Sequence, residues 1–449
     1  MVAQRIRSDH ARMRTGTEGR GNGFSVSTVR ETNLQLVLRT VRELAPCSRA
    51  AVASDTGLNK TTVSSLVADL MARGLVRETG ETSQRRVGRP GVLLALDDTS
   101  LAAIGLEVNV DYLAVVAVDL LDRELATRHV HFDARAAGPE ASARLMAETV
   151  RETAAASALA GRRIVGVSVA VPGLVDPVGT VVLAPNLGWR DVPLGGRLAA
   201  LLDDPALPTQ VDNDGNLGVM AEFRDGTCAG TPDLVYVTGE VGVGAGVLSG
   251  GTLLRGASGS AGEIGHLCLD PDGPECACGR RGCLEALAGI GAIVAAAVPD
   301  LAAGGLPWTG SEVADLVGAA TRRAREGDAV AVAAMERAGT WLGRGLAGLA
   351  NVVDPGVVVL GGYFVPMGPW LLPSVRAALA EHMFAPDTGG CRVELSGLGF
   401  SAAARGGAAA MVHALDTGRL PLPAPAEERV GSPGPGAKRG RIPPTSIDT

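Results

Sequence analysis

Four residues inside an 18-residue stretch, His266-x9-Cys276-x-Cys278-x4-Cys283, constrain this chain more than any other feature. One imidazole and three thiolates form a complete tetrahedral donor set for zinc, and Gly273, Gly279 and Gly282 let the intervening chain wrap an ion. Four protein ligands leave no open coordination position, so the expected zinc is structural rather than hydrolytic. The other four of the seven cysteines, Cys47, Cys228, Cys268 and Cys391, are scattered, and the total is odd. A disulfide framework belongs to short secreted chains with evenly distributed cysteines, which points here to a reducing compartment instead. The alternatives for the cluster are free buried thiols or a His-ligated iron–sulfur centre.

The chain is 449 residues long and 46% hydrophobic, enough for two or three units with real cores and too apolar for general disorder. No apolar run reaches the roughly 18–20 residues of a membrane span; the best candidate, 342–362, is broken by Arg344, Asp354 and Pro355. Residues 1–25 carry Arg5, Arg7, Arg12 and Arg14 without an apolar stretch, unlike a secretory signal. A cytoplasmic protein with no membrane partner is expected. Residues 1–95 hold 15 Lys+Arg against 8 Asp+Glu, a balance of +7 within a total of −7, so the remainder stands at −14. A basic head on an acidic body suits contact with a polyanion, although short Arg-rich termini are often only solvated tails.

Residues 1–25 read as a disordered basic N-terminus, and 26–98 as one small domain. Apolar residues at helical spacing predict a helix over 32–45, ended by Pro46. Ser48 can cap a second helix over 49–56, and Asn59 a third over 60–73 whose Val63, Leu66, Val67 and Leu70 form one stripe. Gly74 stands where a left-handed C-terminal cap belongs. Two short strands, 75–78 and 92–96, then flank a loop with Arg85, Arg86 and Arg89. Three helices and a basic hairpin outline a winged helix-turn-helix; the competing reading is a helical subdomain of an enzyme. The polar face of the third helix, Lys60, Thr61, Thr62, Ser64 and Ser65, offers short donors where a major-groove reader needs them.

Beyond residue 99 the texture becomes α/β. Strands are expected at 102–110, 113–121 and 125–132, a helix over 139–160 and a buried strand over 164–171. A second strand–turn–strand follows at 234–240 and 243–249, and the two similar beginnings suggest internal duplication. Two lobes, about 99–215 and 216–415, are expected with a cleft between them, followed by helices over 310–327 and 329–353 and a strand at 356–360 within the second. The Pro-rich stretch 416–449 reads as a disordered tail.

Glu263 and Glu285 flank the cysteine cluster, as solvated or capping groups if taken alone. Asn213-Asp214 lies between an apolar approach and a helix. A carboxylate there can accept a hydroxyl proton, and the same pair can equally be a helix cap. The run 239–246, rich in glycine, could expose N–H groups to a phosphate, but Glu240 would repel one.

Together these pieces resemble the ROK family (repressor, open reading frame, kinase) over roughly residues 30–415. The resemblance rests on Ala261-Gly262-Glu263-Ile264-Gly265-His266 through Cys276-Ala-Cys278-Gly-Arg-Arg-Gly-Cys283-Leu-Glu285, on Asn213-Asp214, on Pro172-Gly173 and on Pro185-Asn186-Leu187-Gly188-Trp189. The helix-turn-helix ahead of them looks like the family's regulator branch. This implies an α/β actin-like, two-lobed sugar-kinase fold preceded by a small winged helix-turn-helix domain. It further implies sugar contacts from Asn213, Asp214, Glu263, His266 and Glu285, with Gly173 and Asn186 on the pocket wall and Asp214 at the kinases' catalytic-base position. Family kinases carry Asp-x-Gly-Gly-Thr at the first strand turn; this chain has Glu107-Val108-Asn109-Val110, so side chains stand where backbone must approach a triphosphate. The expectation is therefore a sugar-responsive regulator, a repressor in this branch, binding operator DNA as a homodimer or homotetramer, and no enzyme. A sugar kinase using ATP and an interaction protein with a docking head are the alternatives.

Overall fold

The computed structural model describes residues 26–82, 92–202, 204–302, 310–384, 386 and 390–425. The basic stretch 1–25, the wing arginines Arg85, Arg86 and Arg89, and the tail from 426 lie outside the described residues.

The head forms as its caps dictate. Helices Val26–Leu44, Arg49–Thr56 and Lys60–Ala72 bury Leu34, Val37, Leu38, Val52, Val63, Leu66 and Leu70 against one another. Ser48 accepts the Ala51 N–H (3.2 Å) and Asn59 the Thr62 N–H (2.8 Å), so each N-terminus gains one of its missing acceptors. Gly74, at φ +74°, ends the third helix, with Leu75 N–H bonded back to the Leu70 carbonyl (2.9 Å). The wing pairs Val76–Thr82 with Val92–Leu96, and Cys47–Ser48 adds a third strand to its far edge. The hairpin is longer than expected because Thr79, Gly80 and Glu81 extend the strand around an irregularity in register.

The body is two lobes of one topology. The first sheet runs, in spatial order, Thr209–Asn213, Arg163–Val171, Leu101–Val108, Tyr112–Val118 and Glu124–His131; the second Arg392–Leu395, Val357–Gly362, Leu234–Gly239, Val243–Ser249 and Thr252–Leu253. Numbered within each lobe, both read 5-4-1-2-3, with strands 1, 4 and 5 parallel and 2 and 3 antiparallel. The suspected duplication is thus realised strand for strand.

The fifth strand of each lobe leads into a helix, Asp214–Asp225 and Ala402–Asp416, and each helix lies on the other lobe's sheet. This corrects the expected division at 215/216: residues 402–415 pack with the first lobe although they end the second. The two helices also cross each other at backbone distance. A Cβ on Gly406 would stand 1.8 Å from the Leu217 carbonyl oxygen, so only glycine fits.

The tail also begins later than expected. The helix runs to Asp416, and residues 417–425 form an extended strap rather than free chain: Leu420 and Leu422 are buried in a cluster with Leu34, Leu38 and Leu75 of the head and Leu101 of the body. Arg73 donates to the Pro423 carbonyl (3.1 Å). Proline content signals an inability to donate to a sheet, which a strap making side-chain contacts does not need. Among the described residues no helix is long and apolar enough to cross a membrane.

Candidate functional site: a cysteine cluster on the wall of an acidic cavity

The two halves of the third head helix have opposite characters. Its apolar stripe is buried, while Lys60, Thr61, Ser64 and Ser65 are exposed and Thr62 is half-buried. Ser64 donates to the Lys60 carbonyl (2.9 Å), which holds its oxygen outward as an acceptor.

In the second lobe, the chain from Glu263 to Glu285 folds back on itself as loops and short turns. The Leu269 N–H bonds the Gly282 carbonyl (2.8 Å), and Cys268 pairs with Cys283 as an isolated bridge. Gly282 has φ +64°, and a Cβ there would lie 1.4 Å from the Asp270 carbonyl oxygen, so this closure needs glycine. It brings the ligand atoms of His266, Cys276, Cys278 and Cys283 within 4.8 Å of one another. The Cys278 and Cys283 sulfurs are 3.7 Å apart and the Cys276 sulfur is 3.8 Å from His266 Nδ1. A tetrahedral zinc with Zn–S bonds of 2.3 Å sets sulfurs about 3.8 Å apart, so both donor set and spacing fit a metal ion. Arg280, bonded to the Cys278 sulfur (3.4 Å), draws that thiol down to about 6; burial pushes Cys276 up to about 12. A cation among them would hold all three as thiolates.

His266 and Cys278 of the cluster form part of the wall of a cavity between the lobes. All seven residues expected from the resemblance to touch sugar, Gly173, Asn186, Asn213, Asp214, Glu263, His266 and Glu285, line it. Several have structural duties as well. Asn213 caps helix Asp214–Asp225, accepting the Asn216 N–H (3.1 Å), and its amide donates to the Gly173 carbonyl (3.1 Å). The helix-cap reading of Asn213-Asp214 is therefore correct for Asn213 without displacing it from the cavity. Glu285 accepts the Val243 N–H (3.1 Å) and lies 3.8 Å from the Cys276 sulfur, tying the cysteine loop to the glycine-rich turn. Nδ1 of His266 faces Cys276, which leaves Nε2 as the ring's second hydrogen-bonding atom. Asp214 is buried with one oxygen on the Gly215 N–H (2.8 Å); burial, aided by the charge of Glu263, pushes its carboxyl up to about 7.

The side of the cavity where a phosphate tail would lie is ill-suited to one. The Val110 N–H is taken by the Asn109 side chain (2.7 Å), and Glu107 is buried, accepting the Tyr112 hydroxyl (2.7 Å). Burial pushes Glu107 up to about 8. Glu240 is 7% exposed, and its own N–H bonds the Gly242 carbonyl (3.0 Å) within the glycine-rich turn.

Helix Asp214–Asp225 joins this cavity to the head. It spans ~18 Å and ends with Arg224 bonded to Asp122 (2.6 Å). Next to it, Arg42 of the first head helix bonds the Leu120 carbonyl (2.7 Å) and pairs with the buried Asp416 (2.7 Å). Sequence patterning missed this junction, because its partners lie up to 374 residues apart. It also missed Asp212, which accepts Arg255 (3.0 Å) and the Asn216 amide (3.1 Å) behind the cavity.

A two-lobed body of duplicated topology, a sugar-sized polar cavity between the lobes and a winged helical head define a ligand-binding domain of sugar-kinase type carrying a DNA-binding module. The chain belongs to the ROK family, which matches residues 103–414. It is 30% identical over 390 residues to a xylose repressor of Bacillus spizizenii, an alignment covering 86% of this chain and 97% of that protein. In structure it is similar to a ROK family transcriptional regulator, a homologue of the Escherichia coli MLC protein, with a TM-score of 0.72 and 24% identity over 87% of this chain and 98% of the other. It is also similar to a ROK family glucokinase from Streptomyces griseus in complex with glucose and AMPPNP. There the TM-score is 0.56 and the identity 30%, over 69% of this chain and 98% of that one. The fold is thus the actin-like sugar-kinase fold with a small helical domain ahead of it.

Proposed function

We infer that this protein is a sugar-responsive transcriptional repressor, binding operator DNA through its head and sensing a sugar in the cavity between its lobes. One observation carries the reading: the residues suited to sugar hydroxyls surround an open cavity, while the adjoining phosphate side presents the buried carboxylates Glu107 and Glu240 and an N–H already taken by Asn109. A sugar site whose donor side repels a triphosphate is a sensor. The similarity to a xylose repressor runs through the head as well as the body, which supports the same conclusion.

In this account Asp214 and Glu263 accept from sugar hydroxyls and His266 Nε2 donates to one. His266, Cys276, Cys278 and Cys283 hold a structural zinc, which supplies rigidity to the loop carrying Glu263 and Glu285. Lys60, Thr61, Thr62, Ser64 and Ser65 face the major groove, and Arg85, Arg86 and Arg89 of the wing reach phosphates. The protein acts as a homodimer or homotetramer, matching a two-fold operator. Sugar closing the lobes shifts helix Asp214–Asp225 and, through Arg224 and Arg42, the seat of the head.

A thermal-shift screen over monosaccharides tests the sensor: a true ligand at 100 times its dissociation constant adds about 2.7 kcal/mol of stability. The kinase reading is favoured by Asp214, whose carboxyl is held where a general base works. It predicts turnover with Mg-ATP at roughly 1–100 per second. The sensor predicts no sugar phosphate above a protein-free blank.

A further inference from the structure

The cavity contains a selectivity that the sensor reading leaves open. Its lining includes four carboxylates, Asp214, Glu240, Glu263 and Glu285, and neither lysine nor arginine among the described residues. Beside Asp214 and Glu240 lies a second, smaller recess lined by Glu107, Asp214, Glu240 and Phe400. Glu240 borders both spaces, is more than nine-tenths buried, and has no side-chain hydrogen bond or ion pair among the described residues. Three backbone donors along this wall are already engaged: Val243 N–H on Glu285, Val110 N–H on Asn109 and Gly215 N–H on Asp214.

We propose that the effector is an uncharged, unphosphorylated sugar, and that Glu240 is a specificity residue that turns sugar phosphates away. This rests on the sugar-sensor reading of the cavity. A phosphate monoester carries nearly two negative charges and is held by charge-assisted donors, arginine above all. A phosphoester on the hydroxyl that meets Asp214 would be brought against Glu240, which borders the same cavity. Burial, reinforced by Glu107, pushes Glu240 well above the ordinary carboxylate range. Protonated or ionised, it brings no positive charge, so a buried phosphate would find no counter-ion in either form. A neutral sugar, by contrast, finds what its hydroxyls need, since carboxylates accept from them.

The test is calorimetry on the zinc-loaded full-length protein with D-xylose, D-glucose and N-acetyl-D-glucosamine, each beside its terminal phosphate ester. The expected result is that the sugar that binds outcompetes its phosphate more than tenfold, and that Glu240→Gln narrows this ratio at a pH high enough to ionise the wild-type carboxylate. A purely structural role for Glu240 would weaken both ligands together and leave the ratio where it was. A phosphate ester binding within tenfold of its parent would overturn the inference and leave the sensor standing. A ratio unmoved in Glu240→Gln would overturn the assignment to Glu240. Binding of no sugar, phosphorylated or not, would overturn the sensor reading and this inference with it.

Discussion

Glu263 and the cluster residues His266, Cys276, Cys278 and Cys283 beyond it share one loop yet have separable duties. Glu263→Ala removes a carboxylate that reaches the cavity without touching the ligand cluster. It is expected to keep full zinc content and lose at least tenfold in sugar affinity. Cys276→Ser is expected to lower both, although its sulfur need never meet sugar, because Glu285 is held against it. Zinc content by atomic absorption and sugar affinity by calorimetry check the pair; equal sugar affinity in Cys276→Ser would reduce the metal to a remote staple. Asp214 makes a second prediction. Its folded-state value, about 7, lies above its unfolded value near 3.9, so the folded state binds the extra proton between them. Its contribution is fully present below the unfolded value and is lost as pH rises toward 7. Ligand-free protein is therefore expected to lose stability from pH 5 to pH 8, by at most about 3 kcal/mol from this group. Asp214→Asn should flatten that slope in urea titrations; an unchanged slope would contradict the assignment.

Elements differ in how openly the sequence declares them. The head helices were legible because Ser48, Asn59 and Gly74 are local signals whose partners lie within five residues. The cysteine cluster was legible because its ligands lie close in sequence. The strap 417–425 was hidden: Leu420 and Leu422 are two ordinary leucines among prolines, and the pocket that buries them is assembled from residues 34 to 101 and 415. Helix Ala402–Asp416 was not read from the sequence, and its seat on the first lobe's sheet follows from packing and not from chain order. The strap makes a prediction of its own. Leu420→Ala with Leu422→Ala should cost roughly 2–5 kcal/mol per leucine in the cluster joining head to body. Limited proteolysis should then release the head; equal protection in wild type and variant would show that the strap does not fasten it. The third helix makes another. Thr61→Ala and Ser64→Ala should each alter preference at one operator base pair, by about 1–3 kcal/mol, whereas Lys60→Ala should weaken binding to all sequences alike and flatten its salt dependence. Binding-site selection from random duplex separates the two; identical consensus sequences would place the reading helix elsewhere.

At the scale of the whole molecule, two duplicated lobes enclose a cavity, and each lends the other its last helix. One of those helices starts at the sugar site with Asp214 and ends at Arg224; the other ends at Asp416, on which Arg42 of the head is seated. Ligand and operator thus act on one connected body, and linkage requires each to change the other's affinity by the same factor. Couplings of this kind range over about 5–150-fold. The decisive measurement is a fluorescence-anisotropy titration of selected operator duplex with the zinc-loaded full chain, with and without the bound sugar, on wild type and Glu263→Ala. The account predicts a wild-type shift in operator affinity of at least fivefold and none in Glu263→Ala. An operator affinity indifferent to saturating sugar in the wild type, or an equal shift in both proteins, would contradict it.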